Sequence, residues 1–462
     1  MTTSRPLAFP ATAILATLAI SACGGAESLV NVFRSESAHE EYVHTLKTGG
    51  LERTALGRDW IDAANRAIAA PLAAPLPFRE TGYFAPQVPA AVGYRFDLRR
   101  GRKLVISVNF EAASAARLFV DLFRLDRDAD SNAAYRVASL AAGDSTLAYD
   151  VRRDGTYLLR IQPELLRGGR WTVVQRTEGT LGFPVPGFGV QAIRSKFGVD
   201  REAGRRRHQG IDIFARRGTP VVAVVDGYAA PGTNTLGGNV VWLRDGRRGR
   251  SFYYAHLDRW ALEAGQAVKA GDTVGYIGTT GNARTTPPHL HFGIYEGGPA
   301  DPLPFLSPED PAPGPVRAPV EQLGQLVRVT VVDAVMRAGP TGRSDTLALL
   351  ARGTVGRVTG ASGSSLRIAL PEGTAGYLDS RAVVPADRDA PRVALEPGSW
   401  LRELPDSAAP LAFLVDAAEE AVILGTFGGF ELARLDDGRL GWSVARGGRF
   451  ERPRGGAFGR RR

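Results

Sequence analysis

One cysteine, two methionines, six histidines and an aromatic share of 8% are what this 462-residue chain has little of. A lone cysteine excludes an intramolecular disulfide and leaves no thiolate set to close a structural metal shell. The apolar segment Ala11 to Ile20 is too short to span a bilayer. What is abundant points elsewhere: 55 glycines and 30 prolines, with 44% hydrophobic and 23% charged residues, describe ordinary globular matter rich in turns. The length is too great for one core and predicts three to five domains, mainly β.

Four of the six histidines fall between His208 and His291, in three compact motifs: His208-Gln209-Gly210-Ile211-Asp212, Tyr253-Tyr254-Ala255-His256-Leu257 and Pro287-Pro288-His289-Leu290-His291-Phe292. In a strand successive side chains alternate, so His289 and His291 leave one face while Leu290 and Phe292 enter the core. That pair suits one metal ligand and one catalytic neighbour. His208 and Asp212 are four apart in a run that reads as β, and four extended residues span about 13 Å, too far for two groups that share an ion. The chain must bend between them, and Gly210 is where it can. Two imidazoles and one carboxylate suit zinc, and three protein ligands leave a fourth position for water, the mark of a catalytic site. Any single histidine is more often an ordinary polar residue, but three such motifs together are hard to explain so.

These motifs, with Gly218-Thr219-Pro220-Val221, Gly237-Gly238-Asn239 and Gly275-x-x-Gly278-x-Thr280-Gly281, resemble the lysostaphin-like (LytM-type) zinc endopeptidases over residues 179 to about 310. The resemblance implies an antiparallel β peptidase domain, zinc as cofactor, His208, Asp212 and His291 as its ligands, His256 and His289 as the catalytic pair, and peptidoglycan as substrate. The helical His-Glu-x-x-His motif of other zinc peptidases is absent, in keeping with it. Two departures stand out: Gly293 replaces the usual Glu or Gln after His-x-His-Phe, and the usual Phe-Gly-x-Arg appears as Phe197-Gly198-Val199-Asp200-Arg201. Neither is expected to touch a ligand.

Residues 1–22 read as a secretory signal peptide, and Ile20-Ser21-Ala22-Cys23-Gly24 resembles a bacterial lipobox. That implies lipidation of Cys23 and a membrane anchor, with Gly24 favouring the outer membrane, facing the periplasm. Residues 23–75 follow as anchor and helical segment. Its second helix should bury Leu56, Trp60, Ile61, Ala64 and Ile68, with His39 and His44 at the surface. Alternation at Tyr94, Phe96, Leu98 and at Leu104, Ile106, Val108 predicts a β-sandwich over 76–178. The peptidase domain spans 179–310, and 311–325 is a Pro-rich linker.

Beyond the linker the sequence repeats at a constant offset of 65, matching Arg337 with Arg402, Pro340 with Pro405, Gly376 with Gly441 and Tyr377 with Trp442. Residues 326–387 resemble a bacterial SH3-like wall-binding domain, and 388–445 a degenerate second copy. The tail 446–462, with seven arginines and one glutamate, reads as disordered. A secreted protein meets little nucleic acid, so an anionic envelope polymer suits it better. The expectation is a lipid-anchored zinc endopeptidase of the cell wall. A non-catalytic activator of wall amidases or a wall-binding scaffold is the alternative, weakened by the presence of every ligand.

Overall fold

The computed structural model describes residues 36–128, 131–201 and 203–445. The signal peptide, Cys23 and the basic tail lie outside the described residues. The rest is mainly β and multidomain, with two helices at its start.

Helix α1, Ala38–Thr48, begins in a capping box in which the Ser37 hydroxyl accepts from Glu40 N and the Glu40 carboxylate accepts from Ser37 N. Helix α2, Ala55–Ala69, is capped by Thr54, whose hydroxyl accepts from Gly57 N. The buried face of α2 is Gly57, Trp60, Ala63, Ala64 and Ala67, while Leu56, Ile61 and Ile68 are only half-buried. The expected stripe is therefore rotated. Small residues let the helix lie close on the strand Val92–Leu98, where a Cβ at Gly93 would sit 1.7 Å from Ala67 O. His39 is also corrected, since it is buried. Its ring stacks on Trp60 with centroids 5.0 Å apart, and its Nε2 meets Gln162 Oε1 at 2.7 Å. His44 is exposed, as expected.

The next unit packs one sheet, Val92–Leu98 with Gly155–Pro163 and the hairpin Leu118–Asp128/Ser131–Ser139, against Phe78–Phe84, Arg102–Ala112, Thr146–Asp150 and Gly169–Gly179. Tyr94, Leu104, Ile106, Leu122, Tyr157 and Trp171 fill the space between them. Its second sheet does not end there. Phe78–Phe84 pairs antiparallel with Val355–Ser362 of the following repeat, Thr81 opposite Ala361. Glu80 is buried beneath that seam, accepting from Arg367 Nε at 2.7 Å and from the Tyr377 hydroxyl.

The repeat itself has structural form. Arg337 stands opposite Tyr377 in the first copy and Arg402 opposite Trp442 in the second. Ile368 opposite Gly376 is matched by Ala433 opposite Gly441. The same bulge recurs between Val358 and Gly360 and between Ile423 and Gly425.

In chain order, the sheet that carries the histidine motifs comes between sandwich and repeats. Its strands run in the order Ile193–Ser195, Ile211–Phe214, His289–Tyr295, Arg250–Trp260, Gly238–Asp245, Gly227–Asn234 and Gln266–Val268, all neighbours antiparallel. One face is closed by Ile211, Ile213, Val241, Leu243, Phe252, Leu290, Phe292 and Ile294. Burying that face against Val221, Val274 and Phe305 fixes the register, because a one-residue slip would turn every side chain to the wrong side. The unit is tied to the sandwich through Asp310, whose carboxylate accepts from Arg102 Nη2 at 2.9 Å and from Thr177 N at 2.7 Å.

Candidate metal centre

Register brings the first and last motifs together. Asp212 stands directly opposite His291 on neighbouring strands, and Ala255 opposite His291 on the other side. His208 reaches the same spot from the segment leading into Ile211–Phe214. Its Nε2 lies 3.0 Å from Asp212 Oδ1 and 2.9 Å from His291 Nδ1, and His291 Nδ1 lies 3.0 Å from Asp212 Oδ1. Three donor atoms thus form a triangle with sides near 3 Å. A point about 2.0–2.2 Å from all three exists just off its plane, the bond length zinc takes with imidazole nitrogen and carboxylate oxygen. Among the described residues, His208, Asp212 and His291 form a group of this kind.

The supporting bonds settle which atoms face inward. His208 Nδ1 lies 2.9 Å from Lys196 O, and a carbonyl can only accept, so Nδ1 carries the proton and Nε2 presents its lone pair. Asp212 Oδ2 accepts from Arg201 Nη2 at 2.6 Å, leaving Oδ1 for the centre. Burial alone would raise the Asp212 carboxyl, but the His208 and His291 rings beside it hold it far below the usual carboxylate range. Burial pushes the His291 imidazole down, against the attraction of Asp212. The Asp212 carboxyl and the His291 imidazole are therefore held toward the deprotonated form a metal requires.

Arg201 corrects an expectation. The Phe197-Gly198-Val199-Asp200-Arg201 departure does touch an expected ligand, because a two-strand ribbon, Asp200–Arg201 paired with Arg206–Arg207, folds the guanidinium back over Asp212. The bend between His208 and Asp212 does fall at Gly210, for a different reason than backbone sign. A Cβ there would stand 2.8 Å from His291 Nε2 and Cε1 and 2.5 Å from Phe292 O, so glycine is what lets the ring sit against the chain. Gly293 lies on the same sheet face, where a Cβ would meet the Tyr295 ring at 3.1 Å.

His256 and His289 adjoin the triangle. Their ring centroids are 4.9 Å apart, and His256 is 6.0 Å from His291. His256 Nδ1 is 2.9 Å from Thr280 O and His289 Nδ1 is 2.9 Å from Pro287 O, so each ring donates from Nδ1 and keeps Nε2 free to exchange a proton. His289 also stacks on Phe214 at 5.0 Å. Burial, with His289 beside it, pushes the His256 imidazole down to about 4. It is neutral near pH 7.

Residues 206–302 match the model of peptidase family M23. This segment is an M23 peptidase domain. The chain is 37% identical over 127 residues to an L-Ala–D-Glu endopeptidase of Bacillus subtilis, covering 26% of this chain and 39% of that protein. It is 39% identical over 106 residues to a glycyl-glycine endopeptidase of Staphylococcus capitis, covering 21% of this chain and 29% of the other. A peptidoglycan DD-endopeptidase of Vibrio cholerae is 37% identical over 94 residues, 20% of this chain and 21% of that one. The chain spans well under half the length of each of these relatives.

Proposed function

We propose that this chain is a zinc-dependent endopeptidase that hydrolyses peptide bonds in peptidoglycan stems or cross-links. The observation that carries the reading is the convergence of His208 Nε2, Asp212 Oδ1 and His291 Nδ1 to within 3.0 Å of one another. The donor set fits zinc: two nitrogens and one oxygen, each oriented by a bond to its other side or to its neighbours. When bound, zinc supplies Lewis acidity, which polarises a carbonyl and acidifies water.

The residues of the chain do the rest. Asp212, held by Arg201, keeps a negative charge in the buried site. His256, neutral at pH 7, takes a proton at Nε2 during attack on the scissile carbonyl. His256 then returns that proton from Nε2 to the departing amine, and His289, its Nδ1 proton held by Pro287 O, stands beside it with Nε2 as a second proton acceptor. The substrate class follows the names of the relatives, an L-Ala–D-Glu endopeptidase, a glycyl-glycine endopeptidase and a peptidoglycan DD-endopeptidase.

The same reading places the protein in the cell envelope, with Cys23 as the lipidated anchor and the two small β repeats as SH3-like contacts with the wall. Mass spectrometry of muropeptides released from purified sacculi tests it. The zinc-loaded chain should release peptides with new amino termini, and His291→Ala should not. Equal release by both would overturn the proposal.

A further inference from the structure

His256 has φ +63°, in the left-handed region, in the middle of the strand Arg250–Trp260. Such a backbone persists only where its surroundings force it, and it concentrates where side chains must be aimed. The register shows how it arises. Val241 pairs with Tyr254 and Asn239 with Leu257, so Ala255 and His256 together stand against the single Val240. That is a β-bulge, which turns one side chain out of the regular alternation. Without it, His256 and Ala255 could not both be accommodated beside His291.

One residue closes the bulge from both strands. The Thr280 hydroxyl donates to Leu257 O at 2.8 Å and accepts from Asn239 N at 2.9 Å. Its carbonyl accepts from His256 Nδ1 at 2.9 Å. The His256 amide donates to Gly237 O at 2.8 Å. The turn carrying Thr280 is locked against the turn before Asn239, since a Cβ at Gly238 would lie 2.3 Å from Gly281 N and one at Gly281 would lie 2.3 Å from Leu236 O. Backbone this close leaves Thr280 little freedom to move its carbonyl.

We infer that Thr280 is a positioning residue for His256: its hydroxyl pins the bulge, so its own carbonyl selects the Nδ1–H form of the imidazole and keeps Nε2 on the side of His289. The inference rests on His256 being the proton-transferring group, and it is tested in two ways that can fail separately. Thr280→Val keeps the shape and removes both hydroxyl bonds; Thr280→Ser restores them.

In the full chain, T280V should lower kcat on purified sacculi by about 10- to 100-fold, the loss expected for a catalytic group misplaced by about 1 Å. KM and zinc content should be unchanged, and T280S should stay within about threefold of wild type. Long-range ¹H–¹⁵N spectra of the imidazoles should show His256 in the Nδ1–H form in wild type and T280S, and a mixture in T280V. If T280V fails to fold, Thr280→Ala takes its place. A kcat for T280V within twofold of wild type, a serine variant no better than valine, or an unchanged imidazole signal in T280V would overturn the inference. A wild-type chain that cleaves nothing, while the imidazole signal still follows the hydroxyl, would instead overturn the peptidase reading and leave the positioning role standing.

Discussion

Adding one methyl group at Gly210 should disable the site without replacing any of the proposed zinc ligands. The alanine Cβ would arrive 2.8 Å from His291 Nε2 and Cε1 and 2.5 Å from Phe292 O. Ordinary contact begins at 3.4 Å, so the ring must yield by about 0.6 Å and the backbone oxygen by about 0.9 Å. Phe292 is fully buried and paired on both sides, to Ile211 and to Tyr254, so its carbonyl cannot give way alone. The strand Ile211–Phe214 must shift instead, and it carries Asp212. Overpacking of this kind costs about 1–3 kcal/mol of stability, and a displacement approaching 1 Å at a catalytic centre costs about 100-fold in rate. Gly210→Ala should therefore hydrolyse sacculi about two orders of magnitude more slowly, with weaker zinc retention against a chelator and a lower urea midpoint. Gly246→Ala is the control, because a Cβ there meets nothing within 4 Å, and it should stay within about 0.5 kcal/mol of wild type. A G210A protein that keeps its zinc and works within threefold of wild type would refute the steric argument.

Two further outcomes follow from the non-catalytic units. Glu80→Ala strands the buried Arg367 guanidinium and should cost about 3–5 kcal/mol by chemical denaturation; a loss below about 1 kcal/mol would mean that water replaces the carboxylate. His39, held down to about 4 first by burial and then by Arg160, cannot take a proton in the folded state until well below its ordinary 6.5. The unfolded chain binds more protons across that window, so stability should fall as pH drops from about 6.5 toward about 4, by roughly 3 kcal/mol in total at 1.36 kcal/mol per unit. His39→Gln should flatten that limb in pH-resolved thermal melts, and an unchanged slope would remove His39 as its source.

The ligand motifs were legible because strand alternation and short spacings are local. His289-x-His291 had to share a face, and a bend had to separate His208 from Asp212. What escaped depends on contacts made across the chain. Arg201 reaches Asp212 only because a two-strand ribbon doubles back over the site, and its displaced place in the motif hid that contact. The reason for Gly210 lies in a ring 81 positions away, so no local pattern reveals it. His39 looked like a surface residue on a polar helix face, but Trp60 and Phe119 cover it once α1 lies against the sandwich. The α2 stripe was misjudged for a related cause. Close approach to the sheet at Ala67 and to Leu51 at Gly57 favours small residues over the larger side chains that periodicity alone selects.

The most direct test is diffraction from crystals of the zinc-loaded chain, with anomalous data collected on both sides of the zinc absorption edge. The account predicts one strong peak about 2.0–2.2 Å from His208 Nε2, His291 Nδ1 and Asp212 Oδ1, lost in His208→Ala. No peak there, or a zinc held by other residues while the three side chains remain hydrogen-bonded to one another, would contradict it.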